Sequence, residues 1–129
     1  MKKLIKISLT ATSILIFMLV TINLASAQKT EAVGKPIPDA IVKITKKSCA
    51  TCHAEPAGGM AISVLNLSKW DAYPAKKQAS KAEAICNKVS KDKMPPKKFK
   101  EKHPEAVLTK EEIKAICDWA ATLNSPKKK

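Results

Sequence analysis

Cys49-Ala50-Thr51-Cys52-His53 is the run in this 129-residue chain whose residue types and spacing could do chemistry together. It reads C-x-x-C-H, the pattern for covalent attachment of a c-type haem. Two thiols three positions apart suit the two vinyl groups on one edge of a haem. An imidazole directly after them would lie beneath the iron as the proximal axial ligand, a role His commonly plays. Competing readings of the motif fail on spacing or context. Zinc needs further Cys or His in pairs, whereas Cys86 and Cys117 stand alone and distant. A thioredoxin-like redox pair needs a βαβ pattern, and the chain shows no alternating strand signal.

A haem held on one face by His53 leaves its other face to be accounted for. Met94 is the first candidate, 41 residues beyond His53 and followed by Pro95 and Pro96. Two prolines restrict the backbone and can fix a loop so that a thioether is presented to iron. Met/His ligation raises the reduction potential, which suits an electron carrier. His103, nine residues past Met94 and just before Pro104, is the runner-up, as a ligand or as a partner for a haem propionate. Met60 lies only seven residues past His53, a short reach to the opposite face.

Cys86 and Cys117 remain after the haem takes Cys49 and Cys52. Both sit on the apolar side of an expected helix, in the contexts Ala-Ile-Cys-Asn and Ala-Ile-Cys-Asp. In an oxidising compartment they favour a disulfide stapling those helices, against two buried thiols acting as small hydrophobes. Trp70 and Trp119 read as core or haem-edge packing, with the Trp70 indole N–H a conceivable donor to a propionate.

The compartment follows from the first residues. Lys2, Lys3 and Lys6 precede an apolar stretch over Ile14–Val20, and Ala25-Ser26-Ala27 forms an A-x-A cleavage site. Residues 1–27 are therefore expected to be a signal peptide, with Gln28 the mature N-terminus and the protein periplasmic or otherwise exported. An uncleaved anchor is the weaker alternative, because Ser8, Thr10, Thr12, Ser13, Thr21 and Asn23 interrupt the apolar run.

Cleavage of 27 residues from 129 leaves 102, enough for one small domain. The apolar residues are mostly Ala, Ile, Val and Leu, and the full chain has five aromatics. So thin a core fits a fold built around a large flat cofactor. All 24 basic residues are Lys. Taking the three leader lysines from the net charge of +13 leaves +10. Nucleic-acid binding is excluded by the absence of Arg, the lack of aromatics among the lysines, and export. The charge reads instead as a solvated surface, or as steering toward acidic redox partners or an anionic membrane surface.

The elements that must position the motif are helical. Residues 28–38 read as an irregular lead-in, punctuated by Gly34, Pro36 and Pro38. Asp39 is placed to cap a helix running to about Lys47, which leads straight into the cysteines. Pro56, Gly58 and Gly59 break the chain into a loop, and a short segment follows over Met60–Leu67. Ser68 is placed to cap a turn carrying Trp70 and Tyr73. Pro74 opens a helix over about Ala75–Ser90, in which Ala82, Ile85, Cys86 and Val89 share one face. Asp92–Pro104, rich in Pro and Lys, reads as loop. Thr109 and Glu112 make a capping box for a last helix with the stripe Ile113, Ile116, Cys117, Ala120 and Leu123. Residues 39–124 are thus expected to form one all-α domain wrapped around a covalently bound haem c, and residues 125–129 a basic tail.

These residues resemble a known family. Small single-domain c-type cytochromes place C-x-x-C-H near the N-terminus, a Met ligand toward the C-terminus and a closing helix after it. The chain resembles more closely the exported bacterial haem-binding domain family. The likeness rests on Ser48-Cys49-Ala50-Thr51-Cys52-His53, Ser68-Lys69-Trp70-Asp71, Met94-Pro95-Pro96, His103-Pro104-Glu105-Ala106 and Ile116-Cys117-Asp118-Trp119, over about residues 40–123. The resemblance implies a mono-haem cytochrome c with His53 proximal and Met94 distal. The function expected is one-electron transfer, not catalysis. The alternative is a haem-based sensor or haem enzyme with an open sixth site.

Overall fold

The computed structural model describes residues 32–124. The expected leader over 1–27, the start of the lead-in and the basic tail over 125–129 lie outside the described residues. Among those described there are helices and no strands, as the sequence pattern requires. None of the helices is long and apolar enough to cross a membrane.

Helix α1 (Asp39–Ser48) starts at Pro38, whose ψ of 145° keeps it outside the helix. Asp39, expected as the cap, is instead the first helical residue, where its carboxylate meets the positive end of the helix dipole. Ile41, Ile44, Thr45 and Ser48 recur at helical spacing and are all buried. The helix breaks at Cys49 (φ −126°), and a single further turn, α2 (Ala50–His53), carries the motif. After the loop, Gly59 takes a φ of +78°, a conformation that L side chains rarely adopt, and opens the short helix α3 (Met60–Val64).

A 3₁₀ segment (Leu67–Ala72) follows. Its cap is Asn66, whose side chain accepts from Ser68 N at 3.0 Å, and not Ser68 as the sequence pattern implied. The Ser68 hydroxyl is used elsewhere, accepting from Glu55 N at 2.9 Å. Helix α4 (Ala75–Ser90) has the expected bounds. The stretch 92–104, expected as loop, contains helix α5 (Lys97–Lys102), and a 3₁₀ turn spans Pro104–Ala106. Pro96 stops the preceding chain at ψ 146° and stands at the α5 cap. Lys and Glu are good helix formers, and Phe99 supplies the one apolar contact, too little to show as periodicity.

Helix α6 (Lys110–Asn124) is the last element among the described residues. Its capping box forms as the sequence implies: Thr109 N donates to Glu112 Oε2 at 2.9 Å, and Glu112 N to Thr109 Oγ1 at 3.2 Å. Lys47 Nζ reaches Glu112 Oε1 at 2.6 Å and ties α1 to the start of α6. That bond, ahead of the Thr109 amide, holds the Glu112 carboxyl below the usual range.

Helices α4 and α6 pack along their length. Ala82 and Ile116 are fully buried between them, with Val89, Trp119 and Ala120 close to it. The Cys86–Cys117 disulfide joins the two helices, with Cα atoms 4.9 Å apart. Closing a loop with a sequence separation of 31 stabilises the fold by about 3–4 kcal/mol in the chain-entropy picture. Trp119 meets Trp70 at 5.3 Å between ring centroids, joining the 3₁₀ segment to this core.

The lead-in is irregular but anchored. Fully buried Gln78 accepts from Lys35 N at 2.7 Å and donates to Trp70 O at 3.0 Å. At Gly34 the Gln78 amide and Tyr73 carbonyl leave no room for a Cβ. The Trp70 indole N–H donates to Lys35 O at 3.0 Å. It is therefore a core strut, and the donor considered for a propionate is already spent.

Candidate functional site

One turn of helix brings the motif together. Cys49 sits at the kink between α1 and α2, and Cys52 and His53 follow at three- and four-residue spacing, so all three share a face. His53 N closes the turn on Cys49 O at 3.0 Å. Both cysteines are free thiols, Cys52 exposed and Cys49 half-buried. Burial, and then the neighbouring Cys52, pushes the Cys49 thiol up to about 11, so it stays protonated at neutral pH.

The His53 ring is oriented by main chain. Its Nδ1 lies 3.0 Å from Ala61 O and 3.2 Å from Leu65 O. Carbonyl oxygens only accept, so Nδ1 is the nitrogen that carries a proton, and in the neutral ring Nε2 has the lone pair. Metal-binding imidazoles share this arrangement: one nitrogen donates to a carbonyl or carboxylate while the other faces the metal. Both acceptors come from α3 and the residue after it, which is why the loop over 54–59 matters. That loop is tethered through Glu55, whose carboxylate accepts from Asn66 Nδ2 at 3.1 Å and lies 3.4 Å from Lys69 Nζ. Asn66 first, then Lys69, holds that carboxyl below its ordinary range.

This region has little core of its own. Neither α2 nor α3 contains a buried residue. Met60 is 82% exposed and Val64, one turn later, 56%. Two free thiols, an imidazole with its Nε2 lone pair available and an apolar surface without cover fit a flat apolar cofactor bound through Cys49, Cys52 and His53. Among the described residues no three His, Cys, Asp or Glu side chains gather as metal ligands. A cavity of about 190 Å³ lies elsewhere, between Ile37, Val42, Leu67 and Trp70.

Met94 lies in the turn between α4 and α5, and the residue is 38% exposed. The Met94–Pro95 peptide is cis, and Pro95 is buried. The turn is held at its base, where Asp92 takes a φ of +52° and pairs with Lys100 Nζ. His103 stacks on Phe99 at 4.4 Å between centroids, and its Nδ1 meets Glu105 Oε1 at 3.1 Å. Among the described residues no hydrogen bond, ion pair or ring contact joins Met94 or His103 to the cysteine turn. Sequence reasoning missed Ala61, Leu65, Asn66 and Tyr73 as supports of His53. Two of these act through carbonyl oxygens, which every residue type carries, so no letter in the sequence marks them.

Comparison with known proteins adds one result. No curated protein and no solved structure matches the chain. Residues 60–122 match the model of the haem-binding domain family. The matched segment begins past His53 and takes in the two carbonyls that orient it, the disulfide pair, Met94, His103 and most of α6. With its all-α fold, the chain is thus similar over residues 60–122 to a small haem-binding domain family.

Proposed function

We propose that this domain is an exported mono-haem c-type cytochrome that transfers one electron at a time. The observation that carries the reading is the His53 ring, with Nδ1–H given to Ala61 and Leu65, Nε2 free, and two free thiols on the same turn. Cys49 and Cys52 would hold the haem covalently, and His53 Nε2 and the Met94 thioether are the atoms that would ligate its iron. A haem so held supplies the one-electron couple of its iron. The chain supplies orientation, burial and approach. The carbonyls of Ala61 and Leu65 orient the imidazole, the apolar surface of Met60 and Val64 would keep water from the cofactor, and Pro95 and Pro96 restrict the Met94 turn.

The lysine-rich surface steers acidic redox partners toward the domain, or holds it near an anionic membrane. Segment 88–102 alone carries seven lysines against Asp92 and Glu101. Electron transfer to an acidic partner is expected to slow as salt rises, since surface charges are screened within about 10 Å at 0.1 M. A rate independent of salt would remove steering from the account.

The deciding measurement is an optical spectrum of the haem-loaded protein, oxidised and reduced, with Met94→Ala beside it. The wild type should be low-spin, with a weak far-red sulfur-to-iron band that the variant lacks. A high-spin wild type would overturn the carrier in favour of a ligand-binding sensor or haem enzyme with an open sixth site. The 38% exposure of Met94 is the observation that keeps that second reading in view.

A further inference from the structure

One of the two oxygens that orient His53 belongs to a peptide group engaged at both ends. Leu65 O lies 3.2 Å from His53 Nδ1. The N–H of that same peptide group, on Asn66, donates to the Tyr73 hydroxyl oxygen at 3.0 Å. Hydrogen bonds in series polarise one another, so an amide whose N–H is bound carries more negative charge on its carbonyl oxygen. The Tyr73 hydroxyl thereby makes Leu65 a stronger acceptor for the imidazole without touching the ring.

The peptide group is held firmly enough to transmit this. Leu65 is buried, and its N–H donates to Ala61 O at 3.0 Å, the oxygen that also lies 3.0 Å from His53 Nδ1. The imidazole proton is thus shared between two carbonyls four residues apart. The Asn66 side chain caps the 3₁₀ segment through Ser68 N and donates to Glu55. Tyr73 is set by its edge contact with buried Trp70, 6.0 Å between centroids, and Lys77 Nζ lies 4.3 Å over its ring.

We infer that Tyr73 is a positioning residue for the axial imidazole, acting through the Leu65–Asn66 peptide to keep the proton on His53 Nδ1 and to strengthen electron donation from Nε2. The inference rests on the reading of His53 as the iron ligand. An imidazole whose Nδ1–H is tightly bound is the more basic ligand at Nε2. It favours the oxidised, more positive iron, so the hydroxyl lowers the reduction potential.

The test is Tyr73→Phe in the haem-loaded full chain, read by NMR of the His53 ring and by the reduction potential. The expected result is an upfield shift of the His53 Nδ1–H resonance together with a rise in potential. Lys77→Met removes the cation and leaves the hydroxyl, and both readouts should stay near wild type. A Tyr73→Phe protein with wild-type circular dichroism, ring resonance and potential overturns the inference. Should that variant not fold, monofluorinated tyrosine at position 73 keeps the ring while drawing charge from its oxygen. At acidic pH it should give a smaller shift in the same direction, and an unchanged resonance counts against the relay. Failure of the haem reading looks different: the wild type takes up no covalent haem. The His53 resonance of the haem-free chain still responds to Tyr73→Phe if the relay holds, and does not if it fails.

Discussion

The α4–α6 pair and the α2–α3 region are stabilised by different means. The long helices bury Ala82, Ile116 and Trp119 and are joined by the Cys86–Cys117 disulfide. The motif region has two short helices without a buried residue, and polar tethers through His53, Asn66 and Glu55 hold it. Apolar burial stabilises by area and needs no partner of special geometry. Exposed polar tethers fix orientation but contribute little net free energy. The first region is thus held by its own core, and on the proposed reading the second is the part that a large apolar cofactor would complete.

Removing the staple should give the largest effect on the scaffold. Cys86→Ala with Cys117→Ala is expected to cost about 3–4 kcal/mol. Urea unfolding of the double variant measures it, and a cost near zero would mean that α4 and α6 pair equally well in the unlinked chain. Gln78→Leu is the next step down. It leaves Lys35 N and Trp70 O without their partner, so a loss of about 1–3 kcal/mol is expected, and it should free the lead-in from the core. Amide hydrogen exchange at Lys35 reports the release directly.

Acid should weaken the joint between α1, which leads into the motif turn, and α6. The Glu112 carboxyl is held below its ordinary value by Lys47, so its contribution is complete above the unfolded-chain value. It is lost as pH falls through the folded value. Glu112→Gln should therefore flatten the acid limb of stability against pH, and an unchanged limb would assign that limb to other carboxylates.

The smallest effect in the haem-free chain carries the sharpest contrast. Met60→Ser changes a residue that is 82% exposed, so stability without haem should move by no more than about 0.5 kcal/mol. With haem bound the same substitution should cost more than that, because the side chain is then covered. Equal costs in the two forms would show that the cofactor does not lie over α3.

Much of this was legible in the residues. Strong helical periodicity placed Ala75–Ser90, and the Thr109–Glu112 box placed the start of the last helix. Two spare cysteines on apolar helix faces pointed to the staple that the structure contains. Helix α5 was not legible, because its six residues contain one apolar side chain and a period needs at least two. The cap at Asn66 was hidden for a related reason. Asn66 and Ser68 are both good caps, and only the approach of Glu55 to Ser68 decides between them.

By itself the sequence determined which atoms can do chemistry here, because thiol, imidazole and thioether are written in residue types and their local spacing. It also determined the helix that leads into the motif, whereas the further turn Ala50–His53 that sets Cys49, Cys52 and His53 together is a finding of the structure. The tertiary structure alone decided which nitrogen of His53 is free, since that depends on the carbonyls of Ala61 and Leu65. It also decided that Tyr73 supports one of them. Main-chain oxygens look alike in every residue, and only the path of the folded chain brings particular ones to the ring.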